Sequence, residues 1–285
     1  MIPVSFECYK PSKIDEALEL ISKYKDEAKV LAGGQSLIPM MKLRFARYPI
    51  IIDIRNLDEL IFLEEDSEKI KIGALTKHRD IEKSQLINSR IPILSQSASE
   101  IADIQVRNMG TIGGSLAHAD PSADFPPVML VLEAQIIAKS KEGERKIEVK
   151  DLFTGVFETS LKEDELLTEI HIPIPSPDTK FFYTKFPHPA TGFAVVNCAV
   201  ALKNNQNKIE DIKIAFGGMT TVPYRDYSLE EKLKGETIDN ISLEEISKNI
   251  GEDRDIISDY YADAEYRKHL ARTFFKRAVS QLIEG

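Results

Sequence analysis

The sequence predicts an α+β protein with two domains, and three observations support this class. The first 55 or so residues read as strand, helix and strand. Pro173, Pro175 and Pro177 then interrupt the segment 172–180, where they rule out helix. Beyond them the residues alternate as in strands, and the chain closes with a long helical pattern. We therefore divide the chain into residues 1–175, with subdomains of about 1–56 and 57–175, and residues 176–285.

The N-terminal region is predicted to form a β-α-β unit. Residues 4–9 are β-prone, and apolar residues at helical spacing predict a helix over 14–24 that begins with a capping box at 12–15. Residues 28–31 and 49–54 are apolar strands, and the second is too apolar to alternate. A glycine pair follows the strand 28–31 directly, so we expect it to lie at a strand end.

The middle region is predicted to add a larger sheet with helices. Residues 70–74 and 166–172 read as strands. The segments 134–140 and 145–149 have the pattern of a hairpin, and a glycine lies in the turn between them. Apolar residues at helical spacing predict a helix over 92–102.

The C-terminal region is predicted to be a meander followed by a helix. Strand patterns occupy residues 182–186, 194–202 and 208–217. Residues 204–207 (Asn-Asn-Gln-Asn) fit the hairpin turn between the last two strands. Apolar residues near helical spacing then extend from 262 to 283, which predicts one long C-terminal helix.

Composition excludes several classes of function. The net charge of −9, with no basic block, argues against nucleic acid as a partner. No apolar run reaches transmembrane length, and the N-terminus has no signal-peptide pattern. The 2 cysteines, Cys8 and Cys198, cannot ligate an iron–sulfur cluster or a structural zinc ion by themselves. We expect a cytoplasmic protein without a membrane span.

Two glycine pairs carry the clearest functional signal. Residues 31–37 (L-A-G-G-Q-S-L) and 111–124 (T-I-G-G-S-L-A-H-A-D-P-S-A-D) each place a hydroxyl residue shortly after Gly-Gly. Such pairs allow positive φ and close approach of the backbone, and turns of this kind can direct N–H groups at an anion. Asp120 and Pro121 predict the start of a helix over 122–133. Neither motif is a P-loop or a Rossmann fingerprint, and two ordinary turns without a ligand remain the alternative.

Few other side chains suggest chemistry. The 5 histidines lack metal-ligand spacing, so no metal site is predicted. His118 lies close to the second glycine pair, where a place near a ligand is plausible. The helix cap explains Asp120, whereas Asp124 could accept a hydrogen bond from a sugar hydroxyl. No catalytic residue is assigned, and we expect the chemistry to belong to a bound cofactor.

The two motifs resemble the signatures of a known family. Residues 32–37 and 106–124 are similar to those of the FAD-binding medium subunits of molybdenum hydroxylases, a group that includes carbon monoxide, aldehyde and xanthine dehydrogenases. Residues 72–81 and 266–271 also resemble this family. The resemblance implies a vanillyl-alcohol-oxidase-type FAD-binding domain of two subdomains, followed by a smaller C-terminal domain of sheet and helices.

The resemblance also implies the residues that bind FAD. Both glycine motifs would hold the pyrophosphate, Asp124 would bind a cofactor hydroxyl, and three further positions would contact the flavin. The implied set is Ala32, Gly33, Gly34, Gln35, Ser36, Leu37, Ile101, Thr111, Gly113, Gly114, Ser115, Asp124, Leu167 and Lys185. Residues 188–193 depart from relatives that often carry an acidic residue in this loop.

The family further implies partners and an electron route. A large subunit would hold molybdopterin cytosine dinucleotide and a small subunit two [2Fe–2S] clusters, and this chain would pass their electrons from FAD to an external acceptor. We expect a dimer of heterotrimers that oxidises a glyceraldehyde-like aldehyde. The alternatives are a self-contained FAD-dependent reductase of the same fold and a scaffold subunit that has lost FAD.

Overall fold

The computed structural model describes residues 2–284 and begins with a small parallel sheet. Its strand order is β1-β3-β2, and the buried face of α1 packs against Ile50 and Ile52 of this sheet. The predicted β-α-β unit is therefore confirmed. The elements of this region are β1 (Glu7–Tyr9), α1 (Ile14–Tyr24), β2 (Ala28–Leu31), α2 (Leu37–Lys42) and β3 (Ile50–Asp53).

The predicted capping box at the start of α1 is wrong. Lys13 occupies the N-cap and its side chain makes no capping bond. The Glu16 carboxylate instead accepts from the backbone N of Ser12 at 2.7 Å and from its Oγ at 3.1 Å. The helix begins one residue later than a Ser12 cap requires.

The middle region forms an antiparallel sheet in the order β4-β5-β10-β6-β7. The predicted hairpin is present, and its strands pair from Gln135 with Glu148 to Ser140 with Gly143. The strands of this region are β4 (Leu63–Glu65), β5 (Lys69–Gly73), β6 (Gln135–Ser140), β7 (Gly143–Glu148), β8 (Phe153–Gly155), β9 (Glu158–Thr159) and β10 (Leu166–Pro173). Its helices are α3 (His78–Lys83), α4 (Gln85–Arg90), α5 (Pro92–Glu100), α6 (Ile104–Met109), α7 (Ile112–His118) and α8 (Phe125–Val131).

The C-terminal region is an antiparallel sheet in the order β11-β12-β13-β14, followed by helices. Gln206 and Asn207, with φ of 44° and 66°, form the predicted hairpin turn. The predicted long helix is confirmed. The elements are β11 (Thr179–Pro187), β12 (Ala194–Asn205), β13 (Lys208–Gly217), β14 (Tyr224–Arg225), α9 (Tyr227–Leu233), α10 (Leu243–Ser247) and α11 (Ala264–Glu284).

The C-terminal sheet is covered on both faces. Alternation along β12 directs Ala199 and Ala201 into the core that contains α8, whereas Cys198 and Val200 point into the core that contains α11. Small side chains on the first face let α8 lie close to the sheet. One core therefore crosses the proline-rich segment 172–180, and the α+β class predicted from the sequence is confirmed.

The segment that contains and follows the second glycine pair differs from its prediction. Residues 111–118 are not an open loop, because Thr111 caps α7 and both Gly113 and Gly114 lie in its first turn without positive φ. The next helix begins at Phe125 rather than near Pro121. The Asp120 carboxylate accepts from the N–H of Ser122 at 2.9 Å, which forms a turn in place of a helix start. Pro126 and Pro127 occupy the first turn of α8, where proline is tolerated.

Candidate functional site

The first glycine motif is a tight turn between β2 and α2. Gly34 has φ of +72°, as expected for a glycine pair, and Gln35 Nε2 donates to Gly33 O at 3.1 Å. Within residues 2–284, the backbone N–H groups of residues 33–37 donate no hydrogen bond to another protein atom. A run of unengaged N–H groups in a turn is a site for an anion such as phosphate. Leu37 begins α2 and packs against Leu31 and Met41.

The second motif uses its N–H groups differently. Gly114 N donates to Thr111 Oγ1 at 3.2 Å, and Ser115 N donates to Thr111 O at 3.0 Å. The N–H groups of Ile112 and Gly113 donate to the carbonyls of Thr76 and Ala74. The first N–H groups of α7 are thus engaged with protein oxygens, contrary to the expectation that they are directed at an anion.

The structure brings the two motifs together. A Cβ on Gly33 would lie 2.4 Å from Met109 O, so the first turn touches the backbone that leads into the second motif. A Cβ on Gly114 would lie 3.6 Å from the Cβ of Ala32. The two motifs are therefore direct neighbours, with a glycine at each point of approach.

Asp124 and Lys185, both predicted site residues, form a buried ion pair. Lys185 Nζ lies 2.8 Å from Asp124 Oδ1, and the side chains are 2% and 4% exposed. Tyr183 also donates to Oδ1, at 2.5 Å. Burial raises the pKa of Asp124, and the Lys185 ammonium opposes that rise. Asp124 Oδ2 accepts no hydrogen bond from the residues that the structure describes, so it is available to a ligand hydroxyl.

Sequence reasoning missed Tyr183 and Asn197. Burial raises the pKa of Tyr183 well above its usual value, so its hydroxyl remains a donor to Asp124. Asn197 Nδ2 donates to Ala123 O at 3.0 Å and lies 3.3 Å from the Tyr183 hydroxyl. A signal for Tyr183 was available, because it lies two residues before Lys185 on one strand and therefore shares its face.

Lys185 also connects two other segments to Asp124. Its Nζ donates to Glu100 O at 2.7 Å and to Gly192 O at 2.8 Å. Ile101, the next residue of the first segment, is half-buried, and its carbonyl accepts from Arg107 Nη1 at 2.9 Å. The end of α5 and the loop 188–193 therefore meet at the Lys185 ammonium, which pairs with Asp124.

The two remaining candidates, Leu167 and His118, pack against other protein side chains. Leu167 is 4% exposed and its side chain packs in the core that contains α8. His118 is half-buried, and its ring stacks on Phe157 at 4.9 Å between centroids. Burial lowers the pKa of His118, against the opposing charge of Asp120.

These observations fit FAD in three respects. Residues 33–37 offer unengaged N–H groups for a pyrophosphate. Gly114 places no side chain against Ala32, so the two motifs can border one ligand. Asp124 Oδ2 offers an acceptor for a hydroxyl of the cofactor.

Among residues 2–284 no group of three potential metal ligands is assembled, and none of the described helices has the length and apolarity needed to cross a membrane.

Comparison with known families matches almost the whole chain. Residues 4–175 match the FAD binding domain in molybdopterin dehydrogenase, and residues 181–282 match the CO dehydrogenase flavoprotein C-terminal domain. The glyceraldehyde dehydrogenase medium chain of Sulfolobus acidocaldarius is 34% identical, over 99% of this chain and 100% of the relative. The carbon monoxide dehydrogenase medium chain of Hydrogenophaga pseudoflava is 33% identical, over 98% of each chain.

Solved structures agree with the sequence relatives. The carbon monoxide dehydrogenase from Hydrogenophaga pseudoflava that lacks the Mo-pyranopterin moiety superposes with a TM-score of 0.95 at 34% identity, over 98% of each chain. Quinoline 2-oxidoreductase from Pseudomonas putida 86 gives 0.94 at 26% identity, over 100% of this chain and 99% of that chain. The family predicted from the glycine motifs is thereby confirmed, and the chain belongs to the FAD-binding medium subunits of the molybdenum hydroxylases.

Proposed function

We propose that this chain transfers electrons within a heterotrimeric molybdenum hydroxylase. In this proposal FAD takes up electrons that arrive from two [2Fe–2S] clusters of a small subunit, and an external acceptor then removes them. The 2 cysteines support it, because Cys8 is exposed, Cys198 is buried and neither can supply the ligands of a cluster. The clusters would lie in the small subunit, and molybdopterin cytosine dinucleotide would lie in the large subunit.

The observation that carries the proposal is the run of unengaged N–H groups at residues 33–37, which lies beside Gly114 in the first turn of α7. FAD supplies the redox chemistry when bound, and the protein supplies position and polarity. The turn would hold the pyrophosphate through its N–H groups, and Asp124 Oδ2 would accept from a cofactor hydroxyl. The proposed contact set is Ala32, Gly33, Gly34, Gln35, Ser36, Leu37, Ile101, Thr111, Gly113, Gly114, Ser115, Asp124, Leu167 and Lys185.

The substrate and assembly are also proposals. An aldehyde related to glyceraldehyde is favoured because a 34% identical relative is a glyceraldehyde dehydrogenase medium chain. The large subunit would determine this choice. We further propose a dimer of heterotrimers in the cytoplasm, with domains at 1–175 and 176–285 and a division of the first near residue 56.

An absorbance spectrum of the purified chain and identification of the released cofactor test the proposal. We expect flavin bands, FAD at about one per chain and no iron. Purification of the complex from its source should recover molybdenum and iron with the flavin. A chain that is colourless, and that cannot be loaded with FAD alone or with its partners, would overturn the proposal.

A matched pair of glycine variants tests the position of the site. Gly114→Leu should abolish FAD binding, because its side chain would project from the second motif toward Ala32 of the first. Gly155→Leu is the control, since an added Cβ at either glycine first meets one side-chain oxygen, at 2.8 Å for Gly114 and 2.7 Å for Gly155. The control should retain FAD. Full flavin content in Gly114→Leu would show that the site is misplaced.

A further inference from the structure

We infer that Arg267, in the first turn of α11, is a positioning residue for Asp124 and thereby sets the affinity of the chain for FAD. This inference rests on the proposed function, in which Asp124 Oδ2 accepts a hydrogen bond from a cofactor hydroxyl. It extends the requirements of the site to the C-terminal helix, which supplies no residue of the proposed contact set.

The Arg267 guanidinium is buried and bonded to three protein oxygens. Its side chain is 2% exposed. Nη1 donates to the backbone carbonyls of Val195 and Gly218, the second at 2.6 Å, and Nη2 donates to Asp259 Oδ2 at 2.5 Å. A buried cation is tolerated only where such partners replace water. Among residues 2–284 Arg267 has no hydrogen bond to Asp124, so its effect on the site must pass through the segments that it holds.

The two carbonyls belong to the ends of neighbouring strands. Val195 is the second residue of β12, and Gly218 follows the last residue of β13. Gly218 has φ of +72°, and a Cβ there would lie 2.5 Å from Val195 O. The backbone is therefore closely packed at this point, and one guanidinium nitrogen bridges both carbonyls. Loss of that nitrogen would leave two buried acceptors unpaired, which favours a shift of the strand ends.

The same strand ends hold the segment that precedes Asp124. The carbonyls of residues 121–123 all accept hydrogen bonds from the start of β12 or from the residue after β13. These bonds run from Gly218 N to Pro121 O at 2.8 Å, from Ala194 N to Ser122 O at 3.1 Å and from Asn197 Nδ2 to Ala123 O at 3.0 Å. The strand ends that Arg267 fixes therefore fix residues 121–123 as well.

This segment determines where Asp124 lies. Asp124 is the next residue and occupies the N-cap position of α8. Its Oδ1 contacts Lys185 and Tyr183, which leaves Oδ2 for the cofactor hydroxyl. A hydrogen bond weakens steeply when its distance or angle departs from the optimum. A shift of the backbone at 121–123 would therefore weaken the bond between Asp124 and FAD.

Titration of the FAD-free chain with FAD, followed by flavin fluorescence, tests the inference. Arg267→Met removes the donors, whereas Arg267→Lys keeps a positive charge and N–H groups. We expect the affinity to fall about tenfold in Arg267→Met, as for the loss of one hydrogen bond, and about threefold in Arg267→Lys.

A double-mutant cycle with Asp124→Asn separates positioning from general damage to the fold. Asparagine keeps one oxygen for Lys185 and Tyr183 but replaces the other by an NH2 group, which cannot accept from a hydroxyl. In this background Arg267→Met should lower the affinity further by less than twofold. Equal losses in the two backgrounds would show a purely structural role and would overturn the inference.

Val279→Ala is the control for reduced stability. Val279 is buried in the core that contains α11, about three turns beyond Arg267. This variant should unfold more easily but keep the wild-type affinity for FAD. Hydrogen exchange without FAD gives a second measurement. The N–H groups of Gly218 and Ala194 should exchange at least tenfold faster in Arg267→Met than in Val279→Ala.

Two further results would overturn the inference alone, namely wild-type FAD affinity in a folded Arg267→Met chain and unchanged exchange of both N–H groups. If Arg267→Met does not fold, Arg267→Lys takes its place in the same cycle, with the same reading of equal losses. Wild-type affinity in Asp124→Asn, or a wild-type chain that binds no FAD, would instead overturn the proposed function, and this inference with it.

Discussion

The two glycine motifs look alike in sequence but differ in what their backbone does. In the first motif the N–H groups of residues 33–37 have no partner among the described residues. In the second, Thr111 and the carbonyls of Ala74 and Thr76 engage the N–H groups at the start of α7. The first motif thus leaves its N–H groups without protein acceptors, whereas those of the second are bonded to protein oxygens.

The difference shows that a glycine pair has two separate uses. At Gly34 it supplies a positive φ, which reorients the turn. At Gly113 the backbone is helical, and glycine is needed because a Cβ would lie 2.6 Å from the Cβ of Ala74 and 2.7 Å from its carbonyl oxygen. Substitution of Gly34 should therefore affect mainly ligand affinity, whereas substitution of Gly113 should affect mainly stability.

The largest effect is expected at the packed glycine. Gly113→Val should lower the free energy of unfolding by more than about 3 kcal/mol, because the added atoms meet the backbone of Ala74 and cannot be accommodated by a side-chain rotation. Urea unfolding measures the change. Gly114→Ala is the comparison, since its Cβ meets only the Thr111 hydroxyl closely. Equal losses in the two variants would contradict this account of the second motif.

The second largest effect is a loss of stability in acid, through the buried His78 imidazole beside the second motif. The His78 imidazole lies against Gly110, where an added Cβ would be 2.6 Å from Nε2, and burial, with a smaller effect of Arg107, lowers the pKa of His78 to about 4. The unfolded chain binds the proton near pH 6.5, so it holds more protons than the folded chain between about pH 6.5 and 4. The free energy of unfolding should fall by up to about 3 kcal/mol as the pH is lowered through this window.

Urea unfolding at several pH values tests the contribution of His78. His78→Gln should flatten the dependence between pH 6.5 and 4, whatever its effect on absolute stability. His269→Gln, at an exposed position of α11, should keep the wild-type slope. A wild-type slope in His78→Gln would assign the acid sensitivity to other groups.

The smallest effect on stability is expected in the first motif. Gly34→Ala should destabilise the protein by about 1 kcal/mol because of the positive φ, and it should weaken FAD binding about tenfold by turning the N–H groups. Gly235→Ala is a control for the positive φ alone, with φ of +86° and its nearest contact at 3.9 Å on Lys208 Cε, whereas a Cβ on Gly34 would also lie 2.7 Å from Ile38 Cδ1. Titration with FAD should find unchanged affinity in the control; an equal loss in both would refute a role for the turn.

Local patterns in the sequence predicted most of the fold. The strands at Ala28–Leu31 and Lys208–Gly217 and the long helix at Ala264–Glu284 follow directly from apolar periodicity. The start of α7 differs from the prediction because a glycine pair favours a turn, although Thr111 before it is a good N-cap residue. Asp120 and Pro121 likewise suggested a helix that in fact begins at the residue before Pro126.

The site was predictable only in part. The glycine motifs and Asp124 could be identified from neighbouring residues and Lys185 from the family resemblance, but the contact of Tyr183 with Asp124 could not. Tyr183 lies 59 positions away and reaches Asp124 only because β11 packs beside α5 and the start of α8. Such contacts depend on tertiary packing, which no local pattern reports.

The hydrophobic core that is shared by residues before and after 172–180 affects what would happen if the chain were cut in this segment. A cut in this segment would separate no strand from its sheet, because β10 ends at Pro173 and β11 begins at Thr179. The two fragments would still share the buried contact of Tyr183 with Asp124 and that of Asn197 with Ala123. Either fragment alone would expose Phe125 or the alanine face of β12 to water and would tend to aggregate. The chain is therefore suited to fragment complementation, in which the two halves are produced together and recover one molecule without a covalent link.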